Sequence, residues 1–141
     1  MATRNTTTGA VLESIVVPAL QANGYMVKRL QNIGASLTGS QHIVDLIVQH
    51  GEEQEILVSM KWQQSSGTAE EKVPFEIIKL IHAVKHSTNR FARAYIVLGG
   101  EGWTKRQFYL SGGLREYISD YDLVRPISLE QLITLANLRK L

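Results

Sequence analysis

The run His42-Ile43-Val44-Asp45-Leu46-Ile47-Val48 sets a carboxylate inside a β-branched apolar stretch, and Ile56-Leu57-Val58-Ser59-Met60-Lys61-Trp62-Gln63 sets an ammonium near the end of a second one. Both have the composition of strands. His50-Gly51-Glu52-Glu53-Gln54 between them reads as a turn, which predicts an antiparallel hairpin that brings Asp45 and Lys61 to one place on a sheet. Strand side chains alternate between faces, so Ser59, Lys61 and Gln63 share one. A carboxylate buried in a strand costs on the order of several kcal/mol unless a cation or donor compensates it. Two readings of Asp45 follow: a structural ion pair with Lys61, or a ligand of a divalent metal in a phosphodiesterase site.

Working outward, 141 residues with 44% hydrophobic content make one domain, residues 1–141, with a single core. No apolar stretch is long enough to span a bilayer, and Met1-Ala2-Thr3-Arg4-Asn5-Thr6-Thr7-Thr8 lacks the apolar core of a signal peptide. The expectation is a soluble, cytoplasmic protein. The absence of cysteine excludes disulfides, a cysteine-ligated zinc site and a catalytic thiol. A net charge of +2 permits nucleic-acid binding only through local clustering of basic residues.

The rest of the chain alternates α and β without repeats or linkers. Gly9 to Asn23 carries Val11, Leu12, Ile15, Val16, Ala19 and Leu20 at helical spacing and stops at Gly24; Pro18 predicts a kink or an early end. Tyr25 to Leu30 reads as a first strand, followed by a polar loop through Gly39. After the break at Ser65-Ser66-Gly67-Thr68, a helix is expected from Val73 to His86, with Pro74 in its first turn and Ile77, Leu80, Ile81 and Val84 as its stripe. Ala94-Tyr95-Ile96-Val97-Leu98 suits an interior strand, ended by Gly99-Gly100-Glu101-Gly102. A short helix over Lys105 to Leu110, an edge strand Val124-Arg125-Pro126-Ile127 and a last helix opened by a Ser128/Gln131 capping box complete the reading. The fold class is α/β, a central mixed sheet with helices on both faces.

In this order the residues resemble the PD-(D/E)XK nucleases, the fold of many restriction endonucleases, Holliday-junction resolvases and some homing endonucleases. The resemblance runs over about residues 9–98, with Asp45 and Lys61 on adjacent strands after the helix Gly9-Ala10-Val11-Leu12-Glu13. It implies a restriction-endonuclease-like sheet and a metal-dependent DNA endonuclease. The implied ion is Mg2+, with Mn2+ as an alternative, and the implied partners are double-stranded DNA and a second copy of the chain. Val44 stands where the family has proline, and Ser59 where it has a second acidic residue. A serine hydroxyl cannot supply the charge a hard cation wants, so either the site is dead or another carboxylate has taken over. In one branch of restriction enzymes that carboxylate lies on the next helix, and Glu76, fifteen positions after Lys61, matches it best. A plain helix-start carboxylate is the other reading of Glu76. Glu70 and Glu71 are weaker replacements, and Glu55 begins its strand and reads as solvated.

Glu13 has Val16, Val17 and Leu20 as helical neighbours, an apolar setting for a carboxylate; the resemblance gives it a role beside the metal, the alternative being the edge of an amphipathic face. Gln63 either contacts a water at the metal or caps the strand end. The resemblance thus implies Asp45, Glu76 and Glu13 as metal ligands, with Lys61 and Gln63 completing the catalytic set. The i, i+4 pair His82 and His86 lacks the acidic context of a zinc enzyme, and the glycines after Leu98 lack the spacing of a phosphate-binding loop. Arg29, Lys72, Lys105 and Arg106 are the candidate DNA contacts, Trp103-Thr104-Lys105-Arg106-Gln107-Phe108-Tyr109 being either a DNA-contacting segment or a solvated helix with its aromatics inside. A resolvase, a homing endonuclease and a catalytically inactive DNA-binding module of the same fold stand as alternatives.

Overall fold

The computed structural model describes residues 6–141. Helix α1 (Thr6–Ala22) leads into strands β1 (Tyr25–Ala35), β2 (Gln41–His50) and β3 (Glu55–Trp62). Helix α2 (Ala69–Lys85) crosses to β4 (Phe91–Gly99), and α3 (Arg106–Leu110), a 3-10 turn (Tyr121–Leu123), β5 (Val124–Ile127) and α4 (Leu129–Asn137) finish the chain. The strands form one sheet in chain order, β1-β2-β3-β4-β5. β1, β2 and β3 pair antiparallel, as short turns require, while β3, β4 and β5 are parallel, as a helical crossover requires. Leu57, Ile77, Leu80, Ile96 and Leu98 pack under α2 on one face. Leu12, Val16, Leu20, Val58, Val97 and Leu132 pack under α1 and α4 on the other. Among the described residues no helix is long and apolar enough to cross a membrane.

The hairpin, the interior strand, the edge strand β5 and the capping box stand as expected: Ser128 accepts from the Gln131 amide at 3.1 Å, and Gln131 accepts from the Ser128 amide at 2.8 Å. Three elements differ. β1 does not end at Leu30; Gln31 and Asn32 pair with Val44 and Ile43, and the strand runs to Ala35. Ladder bonds to β2 carry a polar segment that its own pattern marks as loop. α1 continues past Pro18 to Ala22, with Pro18 on its exposed side.

α2 begins at Ala69 rather than Val73, so Pro74 lies in its second turn, and Glu76 is a buried mid-helix residue rather than a helix-start carboxylate. Proline cannot donate to the carbonyl four residues back. That carbonyl, of Glu70, instead accepts the Tyr109 hydroxyl at 2.7 Å, so α3 satisfies what Pro74 leaves open.

Glycine is required where β3 and β4 end. At Gly100 the backbone is left-handed (φ 93°), and an added Cβ would lie 2.4 Å from the Gln63 carbonyl oxygen. Gly39 has a similar φ of 91° with open space around it. Gly39→Ala should therefore cost about 1 kcal/mol for conformation alone, and Gly100→Ala about 1–3 kcal/mol more for the collision. Urea unfolding of both variants checks the difference, and equal losses would refute the close crossing.

Candidate active site

Strands β2 and β3 form a fork. Their ladder, Val48 to Ile56, Ile47 to Leu57 and Leu46 to Val58, stops at Leu46, although β2 extends back to Gln41 and β3 on to Trp62. At the parting point Asp45 Oδ2 accepts the Met60 N–H at 2.7 Å, so a side-chain carboxylate replaces the strand carbonyl that would otherwise take that bond. The face pattern slips by one residue at the same place. Ile47 and Val44 both pack on the α2 side while Leu46 and Val48 pack on the α1 side, and opposite Asp45 on β1 Leu30 has a left-handed φ of 51°. The slip carries His42 to the α2 side as well.

There it meets Glu76. Glu76 Oε2 lies 3.7 Å from His42 Nε2, while Oε1 lies 3.9 Å from Lys61 Nζ and 3.5 Å from Lys79 Nζ. His42 and Glu76 are both buried, at 3% and 8% exposure, and Ser59 on β3 is buried too. Burial alone would raise the Glu76 pKa, but the facing His42 ring and the charges of Lys61 and Lys79 hold it down to about 2. Asp45 behaves oppositely. Burial raises its pKa; the Met60 N–H and Lys61 pull it down, and the charges of Glu76 and Glu13 push it up again, leaving it above the ordinary value.

The structure thus gathers Asp45, Lys61 and Glu76 at the fork, with Glu13 acting on Asp45 from α1. Glu13 also holds Arg29 at 3.1 Å. Gln63 serves the strand end: its Nε2 donates to the Gly102 carbonyl at 2.8 Å, and its buried Oε1 has no partner. Glu70 is committed elsewhere, accepting the amides of Thr104 and Lys105 at 2.7 and 2.6 Å and so anchoring the start of α3. Among the candidate DNA contacts, Lys72 and Lys105 are exposed. Arg106 donates to the carbonyls of Leu98 and Gly100, at 3.2 and 2.7 Å, and clamps the loop after β4. His82 and His86 stack at 4.5 Å, and no group of three His, Asp or Glu is already gathered for a metal among the described residues.

His42 is the residue that sequence reasoning missed. It lies an even number of positions from Leu46 and Val48, so regular alternation puts it with them on the α1 side, and the slip at Asp45 reverses this. Lys79, three residues after Glu76 on one helix, was legible as a basic neighbour.

With this geometry in place, comparison with known proteins agrees on the family. A PD-(D/E)XK nuclease superfamily domain matches residues 4–140, and the chain belongs to that superfamily. Among solved structures, the crystal structure of a protein of unknown function, AF1548, superposes with a TM-score of 0.50 at 10% identity, over 81% of this chain and 54% of that one. The chain spans about half the length of that protein, and the likeness is one of fold. No curated protein sequence matches the chain.

The charge pattern sets an acid dependence. A depressed carboxylate contributes stability that is present above its unfolded value, 4.5, and is lost as pH falls toward about 2. At this side-chain exposure of 10% the shift corresponds to about 3 kcal/mol. Glu76→Gln should remove that part of the pH dependence. Urea unfolding between pH 5 and 2, as limits set by those values, checks it, and an unchanged slope in the variant would refute the assignment.

Proposed function

We propose that the chain is a metal-dependent endonuclease of double-stranded DNA, using Mg2+ or, alternatively, Mn2+, with Asp45, Lys61 and Glu76 at its centre. The observation that carries this reading is the fork, where a half-buried carboxylate, a buried one and an ammonium meet as β2 and β3 part. The donor set fits a hard divalent cation. Asp45 is a half-buried carboxylate left short of compensation, its pKa raised by desolvation and by the charges of Glu76 and Glu13, and a cation relieves that condition directly. Asp45 and Glu76 would hold the ion, with Glu13 facing Asp45 from α1. When bound, such an ion polarises the phosphodiester and acidifies a water.

The side chains supply the rest. Lys61 Nζ balances the negative charge that grows on the phosphate oxygens during attack and donates a hydrogen bond that aims the attacking water. Glu76 restores from α2 the negative charge that Ser59 does not provide on β3. Lys79 and His42 keep Glu76 ionised. One site cuts one strand, so a two-fold dimer is the simplest assembly that cuts both. Exposed Lys72 and Lys105 are the candidate phosphate contacts, and Arg29 is shared with Glu13.

Supercoiled plasmid incubated with Mg2+ should be nicked or linearised, EDTA should stop the reaction, and Asp45→Ala or Lys61→Ala should abolish it with the fold retained, since each removes a charge acting in the transition state. Full activity in either folded variant would sink the reading. For DNA contact, Lys72→Ala combined with Lys105→Ala should lower the slope of log K against log salt by about two units. Arg106→Ala should instead lower thermal stability, because it frees two loop carbonyls. An unchanged slope in the double variant would place the DNA surface elsewhere.

A further inference from the structure

His42 is a buried histidine whose Nε2 has no hydrogen-bond partner, and the group it faces is a carboxylate oxygen 3.7 Å away. An imidazole shut away from water with an open ring nitrogen is costly unless that nitrogen serves the group in front of it. The Glu76 oxygens divide their neighbours: Oε1 takes Lys61 and Lys79, and His42 stands at Oε2. A carboxylate approached by cations on one oxygen alone can swing about its last torsion, since that rotation is broad. A donor at the second oxygen stops the swing. His42 reaches this place through the one-residue slip of β2 at Asp45, so a single backbone irregularity supplies both the Asp45 carboxylate at Met60 and the imidazole at Glu76.

We propose that His42 is a positioning residue of the site: its Nε2 holds Glu76 Oε2 and thereby keeps Oε1 turned toward Lys61 and Lys79. The contact itself belongs to the folded chain, whereas its effect on turnover rests on the endonuclease reading above. His42→Phe keeps the ring and removes the donor. His42→Gln places an amide nitrogen where Nε2 stood.

The test joins two measurements. In 15N-labelled protein, the ring signals that disappear in His42→Phe belong to His42. Glu76→Gln should shift those signals and leave the signals of His50 and His86 in place. In the cleavage assay, His42→Phe should lose about tenfold or more in kcat, the range for groups that orient a metal ligand, with KM for DNA changed by less than about twofold because no DNA contact is removed. His42→Gln should recover a substantial part of the loss. A His42 signal that ignores Glu76→Gln overturns the proposal. So does wild-type turnover in His42→Phe, and so does a loss in His42→Gln as deep as that in His42→Phe, which would make the ring a packing element. If the wild-type chain cleaves no DNA with Mg2+ or Mn2+, the endonuclease reading falls, and the ring-signal measurement alone decides whether His42 holds Glu76.

Discussion

The bond from the Met60 N–H to the Asp45 carboxylate is the constraint on which the rest of the site depends. A strand amide inside a sheet needs an acceptor, and the neighbouring strand ordinarily offers its carbonyl. Here a side chain does so, and the two backbones are free to diverge beyond Leu46 and Val58. The divergence opens the sheet between its second and third strands without leaving the amide unpaired. It also shifts the side-chain alternation of β2, which delivers Val44 and His42 to α2.

Electrostatics at the fork is lopsided. Around Glu76 the attraction of two ammonium groups and the His42 ring outweighs burial; around Asp45 burial outweighs one amide and one ammonium. Stability alone does not account for such an arrangement. Buried ion clusters often do no better than apolar side chains of the same volume, because desolvation consumes most of the Coulombic gain. The fold already has a continuous apolar layer on each side of the sheet. The cluster is therefore better understood through the chemistry it permits than through stability, and at Asp45 burial, with the charges of Glu76 and Glu13, leaves the carboxylate above its ordinary pKa.

Much of the architecture was legible because local signals and tertiary structure agree. Ile56 to Trp62 and Ala94 to Leu98 are strands by composition and by position, and Ser128 with Gln131 caps α4 as the pair of residue types demands. Illegible elements are those where a distant group overrides the local pattern. The second half of β1 is polar and becomes a strand because β2 is beside it. Pro74 is tolerated inside α2 because Tyr109 takes over the exposed carbonyl. At the site, Asp45 and Lys61 could be picked from residue type and spacing and Glu76 from the family resemblance, and the three side chains do come together. His42 could not, since no pattern in a single sequence announces a slipped strand. Arg106 was attractive as a basic residue, yet its guanidinium is occupied by loop carbonyls, a bond invisible without the path of the chain after β4.

The crossing of the two chain segments beyond β3 and β4 has a mechanical consequence. Gly102 donates to the Gln63 carbonyl at 2.8 Å and Gln63 donates to the Gly99 carbonyl at 3.0 Å, with glycine admitting the backbones to contact at Gly100 and Gly102. Arg106 and Glu70 bolt the same corner to α3 and α2. The arm of the fork that carries Lys61 is thus the stiff one. The other arm, the β1–β2 ribbon beyond Leu46, has left the β3 ladder and is tied by side chains instead: Asp45 at Met60, Val44 in the core under α2 and His42 beside Glu76. A displacement of the ribbon relative to β3 would leave the Lys61 ammonium where it stands. Such a displacement would carry the Asp45 carboxylate and the His42 ring along with the ribbon.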